Sequence, residues 1–164
     1  MTPETSAWLS RKVPEFANLE PDEKNAIYDF SLLWSFFEGS KLNCNCNVKE
    51  IRRFVSQLNQ RGRIDSFNID KYVQYLQTRY YVDGRLTDHY KKLYLERSGN
   101  PAEVLEMLCN ERCSTAVQLI GCLVVVFRLR NNLFHGEKWQ YQIQGQLKNF
   151  QYANDFLRNI MDCA

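Results

Sequence analysis

Eleven residues late in the chain combine side chains able to bind a phosphate and move a proton: Arg128-Leu129-Arg130-Asn131-Asn132-Leu133-Phe134-His135-Gly136-Glu137-Lys138. An imidazole, with its usual pKa of about 6.5, exchanges protons near neutral pH. A guanidinium is permanently charged and grips two oxygens of a phosphate at once. Together they suit cleavage of a phosphodiester: the imidazole of His135 as base or acid, and Arg130 over the pentavalent transition state. Asn131 is placed to orient a phosphate oxygen or the imidazole ring. Arg128 and Lys138 add positive charge on either side, for contact with a nucleic acid backbone.

These groups directly follow the most apolar stretch of the chain, Leu119 to Phe127. A core segment that ends in Arg, Asn and His breaks the local rules of a buried helix, and such breaks mark candidate sites. The segment from Thr115 to Phe134 is apolar on nearly every side and reads as the central helix of a bundle. Val124-Val125-Val126 would also suit a buried strand, but the length and the lack of neighbouring Gly or Pro favour the helix.

The remaining elements follow from apolar spacing and punctuation. Pro21-Asp22-Glu23 opens a helix carrying Ile27, Phe30, Leu33, Trp34 and Phe37, which closes near Gly39. Ile51, Phe54, Val55 and Leu58 mark a second helix, ending near Gly62, and a third starts at Asn68 or Asp70 and carries Tyr72, Val73, Leu76 and Tyr80. After a turn at Asp83-Gly84, a helix with Leu86, Tyr90, Leu93 and Tyr94 is expected to run to Ser98-Gly99. A short one spans Ala102 to Cys109, and a last one runs from about Trp139 to Met161. Short connections between helices predict an all-α antiparallel bundle, and 164 residues make one domain, 1–164.

Positive charge gathers in the middle of the chain: residues 49–97 hold 11 Lys and Arg against 6 Asp and Glu, whereas residues 1–48 hold 4 against 7. Arg61 and Arg63, with the tyrosines that interleave this stretch, are candidates for tracking a single RNA strand by charge and stacking. Six cysteines lack the spacing of common zinc sites, so free thiols are expected and no metal or cofactor. The first sixteen residues carry Glu4, Arg11 and Lys12, which predicts no secretory signal and a cytoplasmic protein without a membrane anchor.

The string Arg130-Asn131-Asn132-Leu133-Phe134-His135-Gly136, followed by Lys138, resembles the HEPN family (higher eukaryotes and prokaryotes nucleotide-binding), whose ribonuclease members share an Arg, four to six residues and a His. The resemblance is close over the last two helices and loose elsewhere, and residues 40–113 look like a variable helical insertion. It implies a dimerising all-α bundle that cuts RNA by attack of the 2′-hydroxyl. It also implies a role as toxin or antiviral effector, beside an antitoxin such as a nucleotidyltransferase-like protein. The aromatic helix with Trp34, Phe36 and Phe37 resembles the family's opening helix, in which an acidic residue, here Glu38, faces the Arg-His site.

Five positions along a helix turn a side chain by about 140°, so Arg130 and His135 share a face only if the helix unwinds near Gly136. One His cannot be acid and base together, which predicts a site completed by a second copy of the chain. Two alternatives stand beside this: a non-catalytic module binding a nucleotide or protein, and a purely structural segment. In the structural case Arg130 pairs with Glu38 or Glu137, and His135 merely finishes a helix.

Overall fold

The computed structural model describes residues 1–110, 112–135 and 143–164. Residue 111 and residues 136–142 lie outside the description, and with them Gly136, Glu137, Lys138 and the expected helix start at Trp139. The described chain is all-α apart from one two-residue hairpin.

Two helices precede the first expected one: α1, Pro3–Lys12, capped by the Thr2 hydroxyl, and α2, Pro14–Ala17. The long α3, Pro21–Lys41, begins with Pro at its first position, where a missing N–H costs nothing. Glu20 and Glu23 form a reciprocal capping box there. The side chain of Asn47 accepts from the Glu50 amide at 3.0 Å and starts α4, Val48–Gln60. Next comes α5, Asp70–Tyr80.

Asp83-Gly84 is the turn of a tight hairpin between β1, Tyr81–Val82, and β2, Arg85–Leu86, with Tyr81 opposite Leu86 and Val82 opposite Arg85. Both turn residues have positive φ, 50° and 73°, the geometry that Asp-Gly favours between twisted strands. The single helix expected from Leu86 to Ser98 is not present. It is broken into α6, Asp88–Lys91, and a 3-10 turn, Leu95–Ser98, because Tyr94 between them takes a left-handed φ of 52°.

Then follow α7, Ala102–Cys109, and α8, Thr115–Phe134, whose start is capped by the Ser114 hydroxyl. The last described helix, α9, is Leu147–Cys163, and Gln144 and Gly145 before it form a turn with Gly145 at φ 68°.

All these elements except the exposed β2 contribute to one core. Leu119 and the run from Cys122 to Val126 are completely buried in α8, as the reading of it as the central helix required. Among the described residues α8 is the helix long and apolar enough to cross a membrane, and most of it lies inside this core. Residues 40–113 supply Ile51, Val55, Leu76, Val104 and Met107 to the same cluster. Helices α5 and α9 lie antiparallel, since the Tyr72 hydroxyl reaches Asp155 at 2.8 Å while that of Tyr75 reaches Asn149 at 2.6 Å.

Candidate active site at the end of the central helix

The last turn of α8 sorts its polar side chains by helical angle. Arg128 and Asn132, four apart, point inward and are 3% and 2% exposed. Arg128 donates to the Leu93 carbonyl at 2.7 Å, to the Ser98 hydroxyl at 3.3 Å and to the Asn132 side-chain oxygen at 3.3 Å. Asn132 donates in turn to the Lys92 carbonyl at 2.9 Å. These bonds staple residues 92–98 onto α8. The expectation that Arg128 meets RNA is therefore corrected: its guanidinium is buried, and a buried charge is held only where such acceptors compensate for lost water.

Arg130 lies on another face. Its side chain is 28% exposed, and its Nη2 is 3.4 Å from Glu38, whose own side chain is 18% exposed. Glu38 is a hub: it accepts from the Trp34 indole N–H at 2.8 Å, from the Cys46 amide at 3.0 Å and from Arg130. One carboxylate thus ties α3, the loop before α4 and α8 together. Arg130 also donates through Nη1 to the Asn131 side-chain oxygen at 3.0 Å, and its guanidinium lies 5.3 Å from the centre of the half-exposed Phe134 ring. Its Nε is buried and has no hydrogen-bond partner among the described residues.

His135 is the first residue past the helix. It is exposed, and its amide still donates to the Asn131 carbonyl at 2.9 Å, so the chain keeps a near-helical course to this point. By that course His135 falls over Asn131 and Asn132, about 140° around from Arg130. No hydrogen bond links Arg130 to His135 among the described residues. Asn131 is the joint between them, bonded by side chain to one and by backbone to the other.

Arg61 caps the far end of α4 and, like Arg63, is exposed. The 13 residues of α4 put about 20 Å between them and the Cys46 end, where Glu38 holds Arg130. The structure therefore does not bring them to the Arg130 cluster.

Two participants escaped the sequence reading. Phe134 follows Arg130 by four residues, a spacing that signals a stacking partner on one helix face. Cys46 enters through its backbone amide, which leaves no trace in residue type. Its thiol is pushed well above the ordinary range, first by burial and then by Glu38, with Arg130 opposing. All six cysteines are free thiols.

Chemically, the arrangement offers a braced cation and an exposed imidazole at the same helix end. Compared with known proteins, the chain matches no family model, no curated protein and no solved structure.

Proposed function

We propose that the chain is a metal-independent endoribonuclease of the HEPN type. The observation that carries this reading is the position of Arg130, fixed by Glu38 and Asn131 one turn before solvent-facing His135. A guanidinium held in place before substrate arrives stabilises a developing phosphorane without reorganising. In the reaction, one imidazole takes the proton of the ribose 2′-hydroxyl as that oxygen attacks phosphorus. A second imidazole protonates the departing 5′-oxygen, leaving a 2′,3′-cyclic phosphate and a 5′-hydroxyl. The two imidazoles are His135 from each subunit of a two-fold dimer. As a cytoplasmic toxin or antiviral effector, such an enzyme requires a restraining partner, for which a nucleotidyltransferase-like antitoxin is the candidate.

The test is incubation with RNA in excess chelator, wild type beside His135→Ala. The expected result is cyclic-phosphate ends from the wild type alone, with both proteins melting at the same temperature. Intact RNA from the wild type, or undiminished cleavage by His135→Ala, overturns the assignment.

One observation favours a second reading, that of a module binding a nucleotide or protein without turnover. Glu38 already neutralises Arg130 at 3.4 Å. RNA binding without cleavage in the same assay is its signature.

A further inference from the structure

Toward the start of α3, away from Arg130, α3 and α9 face each other across an open groove with polar walls. One wall is a stripe of α3, Asp22, Asn25 and Asp29, and the other a stripe of α9, Gln151, Asn154 and Arg158. Steps of three and four residues keep each trio on one face of its helix. The groove encloses about 680 Å³, open solvent included, a size suited to a small molecule. It is separate from the candidate active site, because Glu38 lies about 13 Å along α3 beyond Asp29.

Two independent observations favour a ligand that donates hydrogen bonds. The first is on the rim. Asp22 and Asp29 are exposed, and neither has an ion pair or a side-chain hydrogen bond among the described residues; Asn25 and Gln151 beside them are equally uncommitted. The second is on the floor. Asn154 is 4% exposed, its side-chain nitrogen donates to the Ala26 carbonyl at 2.9 Å, and its Oδ1 has no hydrogen-bond partner among the described residues. A buried acceptor costs free energy until a donor reaches it. Arg158, the cation among the described lining residues, lies 3.8 Å from Asp155, so part of its charge is already balanced and the two rim carboxylates leave the groove negative.

Spacing selects among cations. Asp22 and Asp29 stand two helical turns apart, about 10 Å, with side chains that point the same way. The ligands of one metal ion lie about 2–2.6 Å from it, so these two carboxylates cannot share one. Two ammonium groups on an extended chain can span them, with a nitrogen between the two delivered to Asn25 and Asn154. We propose that the groove between α3 and α9 binds a linear aliphatic polyamine, its end ammonium groups at Asp22 and Asp29 and its middle nitrogen donating to the Oδ1 of Asn154. A triamine with propyl and butyl spacers, spermidine, has the required reach when extended. The assignment stands whether or not the chain cuts RNA.

The test is calorimetric titration of spermidine into the full-length chain, without RNA, at two KCl concentrations. Asp22→Asn with Asp29→Asn, both at exposed positions, is expected to melt like the wild type, to bind about tenfold more weakly and to lose most of the salt dependence. The charge-matched control, Glu96→Gln in the 3-10 turn with Glu106→Gln in α7, is expected to bind as the wild type does. Propane-1,3-diamine, too short to span two turns, is expected to bind about tenfold more weakly than spermidine. In NMR spectra the side-chain amide of Asn154 is expected to shift in step with saturation, which a purely general attraction of charge would not produce. No binding by the wild type, undiminished binding by the Asp22 and Asp29 variant, or equal weakening by the control overturns the assignment. So does propane-1,3-diamine or magnesium chloride bound as tightly as spermidine, or an Asn154 amide that stays in place at saturation.

Discussion

Arg128 and Arg130 stand two residues apart, and α8 gives them opposite work. Two steps along a helix are about 200°, so one guanidinium enters the core and the other the rim. Replacing Arg128 with Met strands the Leu93 carbonyl and the Asn132 side chain, and is expected to cost about 3 kcal/mol. That appears as a melting temperature lower by about 6–12 °C, with faster hydrogen exchange in residues 92–98. Arg130→Met is expected to cost less than half as much while abolishing cleavage. The ordering is checked by thermal melts of the two variants side by side. Glu38→Ala deprives the Trp34 indole and the Cys46 amide of their acceptor, for an expected loss of about 2 kcal/mol and a looser Arg130. Glu38→Gln keeps an acceptor and falls between.

At the scale of elements, α8 is placed by packing that tolerates little. A Cβ added at Gly121 would lie 2.9 Å from the Met107 sulfur and 3.0 Å from the Glu103 carbonyl of α7. The sulfur can swing aside but the carbonyl cannot, so the helix gain of about 1 kcal/mol from Ala is outweighed. Gly121→Ala is expected to destabilise by about 1–2 kcal/mol, read as a lower midpoint in urea. The helices with strong apolar spacing, α3, α4, α5, α7 and α8, were legible in the sequence because that signal comes from neighbours on the same helix. Side-chain caps reinforce it at α3, α4 and α8, whereas the cap position of α5 is Ile69, neither Asn68 nor Asp70, and that of α7 is Pro101. The break at Tyr94 was not, because nothing about a tyrosine announces a left-handed residue. The hairpin was visible only as a turn, since strands of two residues are too short to show alternation. Of the site, Arg130, Asn131, His135 and Glu38 could be chosen in advance by their chemistry and a resemblance. The inward turn of Arg128 could have been read from its four-residue spacing to Asn132.

For the whole molecule, a tyrosine-rich core sets the alkaline limit. Burial pushes Tyr72 and Tyr80 up to about 12 from 10.0, and Cys122 up to about 12 from 9.0. Burial also holds Tyr152 well above its ordinary value. A folded-state value above the unfolded one means that the native chain keeps protons which the unfolded chain sheds at high pH. This contribution is complete below about pH 9 and drains away as pH rises through 10 toward 12. The melting temperature is thus expected to fall steeply above about pH 10, and a flat profile there would contradict the packing. If the active unit is a dimer needing both copies of His135, mixing wild type with His135→Ala has a defined result. After subunit exchange, activity follows the square of the wild-type fraction, whereas independent sites give a straight line. The buried character of α8 reaches beyond the finished fold. Because only 12 residues, 135–146, lie between the end of α8 and the start of α9, the helix that helps to shield this greasy stretch is synthesised close behind it, which shortens the time for which the stretch stands uncovered during folding.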